Sequence, residues 1–320
     1  MQIKSLPILL MVLFFGGTHT YGQTLTTKSV NGGVWVFEDG RHVLFYQFQP
    51  KTVNGKYERA GYVHPLFTLK GNILTENSPA DHPYHRGIFW AWHQIWLNGE
   101  KVADGWMSEH ISWQPIKLRT KHSDTSVTIN AKLTWEYKPA GDHQEAIARE
   151  NTKITVFSSS GTYRIIDFDI TIKPLRNNLQ FGGADDAKGY GGFCLRLKLP
   201  PDIQFVSGNR TVKPELTAVT AGPWMDFEGS FDGADQPLSG VALFCGAPKS
   251  GSTQKWILRS EKSMQNAVFP GRTPIRLPQN GWHLHYRVIV HSNKVGTEEL
   301  EQLYKVYLSG INKKGSNTNL

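Results

Sequence analysis

Val34-Trp35-Val36-Phe37 and His42-Val43-Leu44-Phe45-Tyr46-Gln47-Phe48 are two runs of β-branched and aromatic residues, joined across Asp39-Gly40. Bulky branched side chains fit a pleated surface, and Asp-Gly favours the positive φ angles of a tight hairpin turn. The pair therefore predicts a β-hairpin. The same period-two alternation recurs at 111–119, 125–137, 152–158, 162–173, 191–199, 240–246, 254–260 and 283–291. Turn dipeptides such as Asn54-Gly55, Asn98-Gly99 and Asp232-Gly233 punctuate it. Helical spacing occurs only at 297–307, through Leu300, Leu303, Tyr304 and Tyr307.

Many alternating strands bury their apolar faces most simply by packing two sheets together. The expected fold is all-β, a large antiparallel two-sheet β-sandwich with few helices. Strand character continues across the midpoint and no blade-like repeat appears, so 23–310 reads as one β-sandwich domain rather than a propeller. Residues 311–320 read as a polar C-terminal tail.

The N-terminus has the pattern of an export signal. Lys4 precedes the apolar run Leu6–Phe15, and Thr20-Tyr21-Gly22 offers small residues for cleavage before Gln23. Residues 1–22 are thus expected to be a signal peptide, giving a periplasmic or secreted protein. The apolar run is short for a membrane span, so no stable membrane insertion is expected. Charged residues are 19% of the chain and scattered, which excludes extensive disorder. The net charge of +8 comes without a basic stripe or a nucleic-acid motif, so no nucleic-acid partner is expected. Cys194 and Cys245 both lie in apolar, strand-like segments and read as buried small hydrophobes rather than a disulfide framework.

Polar chemistry is densest in Ser78-Pro79-Ala80-Asp81-His82-Pro83-Tyr84-His85-Arg86-Gly87, with His64-Pro65 upstream and His93 downstream. Two prolines stiffen the segment into a loop, and loops on a rigid sheet commonly carry function. Imidazole gives and takes protons near neutral pH, so His82 and His85 are the candidate catalytic acid and base. Asp81 would fix a histidine tautomer, while Arg86 and His64 would orient or polarise substrate oxygens. The bland alternative is that these groups satisfy one another and the loop backbone. The spacing matches no metal signature, so neither a metal nor another cofactor is expected.

Two further stretches supply secondary candidates. Gly182–Arg196 is glycine-rich around Asp185, Asp186 and Lys188, with Arg196 on the following strand. Lys188 and Arg196 are candidate substrate-binding residues there; the alternative is a plain turn. In Trp282-His283-Leu284-His285-Tyr286-Arg287, alternation puts His283, His285 and Arg287 on one strand face. That face is either the floor of a polar cavity, with His283 binding substrate, or a solvated outer surface. Trp90, Trp92, Trp106 and Trp224 are either sugar-stacking platforms or core.

Tyr62-Val63-His64-Pro65, the Pro79–Gly87 segment, Lys188-Gly189-Tyr190-Gly191-Gly192 with Arg196, and Trp224-Met225-Asp226-Phe227 resemble a bacterial family labelled "methane oxygenase PmoA". The resemblance covers most of the mature chain. It implies a secreted protein found among carbohydrate-utilisation functions. The closing strand and helix also resemble galactose-mutarotase-type supersandwich proteins, in which histidines and a carboxylate do acid/base work on a sugar. Together these resemblances imply a secreted carbohydrate-active enzyme of epimerase, lyase or glycosidase type, with a carbohydrate or other small polar substrate. The alternatives are a non-catalytic glycan-binding β-sandwich and a metal-dependent oxygenase.

Overall fold

A computed structural model describes residues 24–139, 144–246 and 253–316. The expected signal peptide lies outside them. Two nine-stranded antiparallel sheets dominate the fold. The first sheet runs from Leu25–Val30 through Gly33–Glu38, Arg41–Gln47, Tyr62–Leu66 and Ile88–Ala91. It continues through Gly192–Leu195, Gln265–Val268, Gln254–Ile257 and Val219–Ala221. The second sheet runs Ile111–His122, Ser126–Tyr137, Glu145–Phe157, Tyr163–Pro174 and Trp282–His291. Ser239–Cys245, Trp224–Gly229, Gln204–Ser207 and Arg210–Thr211 complete it. The protein is an all-β sandwich.

The opening hairpin forms as its residues dictate. Val34 faces Tyr46 and Trp35 faces Phe45. Asp39 and Gly40 both turn with positive φ, at 50° and 77°, as a two-residue hairpin loop requires. Val34, Val36, Leu44 and Tyr46 point inward and meet Phe168, Ile170, Tyr286 and Val288 of the second sheet in one core. Phe193 of the first sheet stacks on Tyr286 of the second, with ring centroids 4.3 Å apart. Each such side chain contributes about 1.5–3 kcal/mol by leaving water. The carboxylate of Glu150 sits among them. Glu150 is buried and accepts the indole N–H groups of Trp90 and Trp135 and the hydroxyl of Thr152. Burial raises its carboxyl above the ordinary range, against those hydrogen bonds.

Side chains that alternate with the core residues form the two outer faces. On the first sheet, Tyr62, Phe89, Cys194, Ile257 and Met264 gather into a second apolar cluster with Trp106. On the second sheet, Trp224, Phe244 and Ile289 are covered by the helix Thr297–Ser316 through Leu300, Tyr304 and Tyr307. The helix is longer than its apolar spacing predicts. It runs through the first part of the expected polar tail because Leu308 and Ile311 still pack on the sheet. No helix among the described residues is long and apolar enough to cross a membrane. Cys194 and Cys245 are free and buried, one in the outer cluster and one in the central core.

Candidate functional site

The loop between Tyr62–Leu66 and Ile88–Ala91 is folded tightly. Ser78 N donates to the His85 carbonyl at 2.9 Å, and internal turns run from His82 N to Pro79 O and from His85 N to His82 O, each 3.0 Å. Arg86 clamps the loop. Its Nη1 donates to Ser78 Oγ, the Pro83 carbonyl and the His85 carbonyl, and its Nη2 donates to the Tyr57 carbonyl. Only 1% of Arg86 is exposed. Arg86, expected to orient substrate, instead does not line the pocket described below, and its guanidinium is engaged by three main-chain carbonyls and the Ser78 hydroxyl.

The loop presents Asp81, His82 and His85 on the outer face of the first sheet. His82 Nδ1 lies 2.9 Å from Asp81 Oδ2, with about a third of each side chain exposed. The carboxylate is braced from behind. Arg196 Nη2 is 3.2 Å from both Asp81 oxygens, and its Nε donates to Glu76 at 2.8 Å. Partial loss of water raises the Asp81 carboxyl, but the hydrogen bond with His82 and the Arg196 charge outweigh it and bring it below the usual value. Arg196 sits between Leu195 and Leu197 of the core, so strand alternation aims it outward at the loop. It braces Asp81 and does not line the pocket described below.

The two histidines stack, with ring centroids 4.6 Å apart and planes 10° apart, but their environments differ. Only 2% of His85 is exposed, and it meets Trp106 edge-on at 5.7 Å. Burial, followed by the His82 and Arg196 charges, brings its pKa down to about 2. His85 is a neutral imidazole, and its Nδ1 faces Arg196 Nη1 at 3.5 Å. In an NMR titration its ring signals are expected to stay still between roughly pH 4 and pH 8, where an ordinary histidine titrates. Movement through a midpoint near neutrality would contradict this assignment.

A pocket of about 290 Å³ opens beside the pair, lined by His82, Tyr84, His85, Lys188, Tyr190 and Arg259, with Ile257, Ser263 and Met264 completing it. A wider hollow of about 530 Å³ adjoins it across Arg259, but it contains no histidine. Lys188 reaches the pocket from a loop that the glycine-rich sequence makes possible. Ala184 N donates to the Tyr190 carbonyl at 2.8 Å, and Asp186 Oδ1 accepts Lys188 N at 2.8 Å, forming a compact turn. Gly183 lies under this turn, and a Cβ there would stand 2.2 Å from the Gly189 carbonyl oxygen. Gly183→Ala should cost about 1–3 kcal/mol in chemical unfolding by forcing the loop off its seat. An unchanged melting midpoint would remove this account. Burial pushes the Tyr190 phenol up to about 12, so it stays a proton donor.

Not every candidate converges here. His64 is half-buried, bonds Thr75 Oγ1 at 3.0 Å, and does not line the pocket. Burial, with the Lys51 and Arg86 charges, lowers it to about 4. His283 stands on the outer face of the second sheet, 3.3 Å from Thr171 Oγ1, because its neighbours Trp282 and Leu284 point into the core. It lies across the sandwich from His82. The four tryptophans considered as sugar platforms are all buried; the aromatic rings at the pocket are Tyr84 and Tyr190.

Sequence reasoning missed Glu76, Arg259 and the role of Asp104. Asp104 holds His93 Nδ1 at 2.8 Å, and His93 stacks on Trp106 at 5.3 Å beneath His85. Trp106 separates His93 from His85. Among the described residues, no three His, Cys, Asp or Glu side chains are placed to hold a metal together.

Comparison with protein families gives a match over residues 34–305 to DUF6807, a family of unknown function. The chain belongs to that family. The match takes in the second sheet, the first sheet apart from its opening strand Leu25–Val30 and Gly33, the 78–86 loop and the Lys188 turn, so the pocket lies wholly within the family's extent. No curated protein matches the chain.

Proposed function

We propose that this protein is an exported carbohydrate-active enzyme in which His82 exchanges a proton with a sugar. One observation carries the reading: the Asp81–His82 pair at the pocket wall. With Nδ1 donating to Asp81, the other ring nitrogen, Nε2, is the proton acceptor, and the carboxylate supports the imidazolium that forms. The pocket volume of about 290 Å³ is near the lower end for small-molecule sites and suits one sugar unit rather than a wrapped polymer. Tyr84 and Tyr190 offer ring faces and hydroxyls, as sugars require. His85 acts in this reading as a neutral wall that positions His82, not as the second titrating group. We read residues 1–22 as the export signal, which puts the substrate outside the cytoplasm.

The neutral His85 favours one competing reading, a sugar-binding protein without catalysis, since it leaves His82 without a second imidazole to serve as its partner acid or base. A panel of neutral, oxidised and uronate sugars, followed by calorimetry and product analysis, separates the two. Product formation supports the enzyme. Binding without product across the panel supports the binder, and neither binding nor product removes the carbohydrate reading altogether.

A further inference from the structure

We infer that the sugar is an acidic one, a uronate or an aldonate, whose carboxylate lies between Lys188 and Arg259; the inference rests on the carbohydrate reading above. The pocket lining includes two cationic side chains and no Asp or Glu. The nearby acids are engaged elsewhere: Glu76 and Asp81 on Arg196, and Asp185 on the exposed Arg272. Lys188 has only Asp186 at 4.0 Å, with its side chain 46% exposed, a pairing that neutralises little.

Arg259 is the more telling residue. Its Nη1 donates to the Glu215 and Leu258 carbonyls at 2.6 and 2.7 Å, and its Nη2 to the Leu216 carbonyl at 2.8 Å. Neutral acceptors hold the guanidinium in place without cancelling its charge. Among the described residues Arg259 makes no ion pair and its Nε–H has no protein acceptor. A fixed and uncompensated planar cation at a pocket wall matches a carboxylate. The Tyr190 hydroxyl adds a neutral donor at the same wall.

Chemistry follows from that placement. Cations at the carboxylate make the adjacent C–H the most acidic carbon-bound hydrogen of the sugar. That C–H bond breaks, its proton passes to His82 Nε2, and its electron pair spreads into the carboxylate. Delivery of a proton from water to the opposite face, with His82 releasing its own proton to water, gives the epimer. Expelling the oxygen substituent on the next carbon, which takes up the proton from His82, gives the unsaturated acid.

The test is calorimetry with galacturonate, glucuronate and gluconate against galactose and glucose, combined with NMR of the same acids incubated in deuterium oxide. An acidic sugar should bind at least about tenfold more tightly than its neutral parent, and Lys188→Gln should remove roughly that factor while Lys188→Arg restores it. Lys188 lies on an exposed turn, so these variants are expected to fold. Deuterium should enter beside the carboxylate with the unsubstituted protein and not with His82→Ala. Equal binding of neutral and acidic sugars, untouched by Lys188→Gln, would overturn the inference and leave the carbohydrate reading standing. Acid binding without deuterium uptake would keep the carboxylate site and overturn the proton step. No binding of any sugar would overturn both readings.

Discussion

Replacing His82 with alanine is expected to lower turnover by roughly 10²–10⁴-fold, the usual contribution of a positioned general acid or base. About a third of the side chain is exposed, so the space it vacates opens onto solvent rather than leaving a sealed cavity. The melting temperature should therefore stay near that of the parent, and sugar affinity should change only slightly. A loss in kcat without a matching loss in binding is the signature of an interaction that strengthens in the transition state. Asp81→Asn should reproduce much of the loss, because an amide neither fixes the same tautomer nor supports the imidazolium. It also leaves the buried Arg196 with Glu76 as its remaining carboxylate partner. Rate and affinity falling by the same factor in both variants would show that the pair only binds.

Asp226→Ala is expected to be the most damaging substitution for the fold, at about 3–5 kcal/mol, as when one partner of a buried ion pair is removed. Asp226 Oδ1 lies 3.0 Å from His291 Nε2, with both side chains fully buried. His291 Nδ1 also engages the Asn293 carbonyl at 2.7 Å, so both ring nitrogens act as donors and the ring carries charge. Without Asp226 that buried cation would lose its hydrogen-bonded counter-ion. A typical domain has about 5–15 kcal/mol of stability in all, so urea unfolding should register a severe loss. A midpoint close to that of the parent would remove the assigned role.

The same pair predicts a pH dependence. Burial alone would lower the His291 pKa, but the Asp226 charge and hydrogen bond reverse this and raise it above the ordinary 6.5. The stabilisation is fully present below the unfolded value and is lost as pH rises through the higher folded value. Glu228 acts in the same direction. Burial and the Asp226 charge raise its carboxyl, and its ionisation at higher pH adds a second negative charge near Asp226, moderated by Lys294 at 3.3 Å. In urea unfolding, stability should therefore fall as pH rises from about 6.5 through the raised His291 value in the parent protein, with the His291 contribution absent from Asp226→Ala.

How far the chain could be read in advance differs between fold and site. The strands 125–137, 162–173 and 283–291 were legible to within a residue or so, because alternation is a local property repeated over many positions. Asp39-Gly40 marked its turn for the same reason, since its φ preference does not depend on distant residues. The helix end was not legible. Tyr307 closes the regular spacing, whereas the helix continues because the second sheet offers Leu308 and Ile311 a surface.

By itself the sequence determined the sandwich and the loop on which Asp81, His82 and His85 would be found. Only the tertiary structure separated those histidines into one partly exposed beside its carboxylate and one buried and neutral. It also made Arg86 a loop clamp, put His283 on the far face, and set Arg196 and Glu76 behind Asp81. A histidine has the same pKa preference and hydrogen-bonding atoms wherever it occurs in a chain. Its role depends on the water it loses and the charges it meets, and here those come from residues as far as 111 positions away, as with His85 and Arg196.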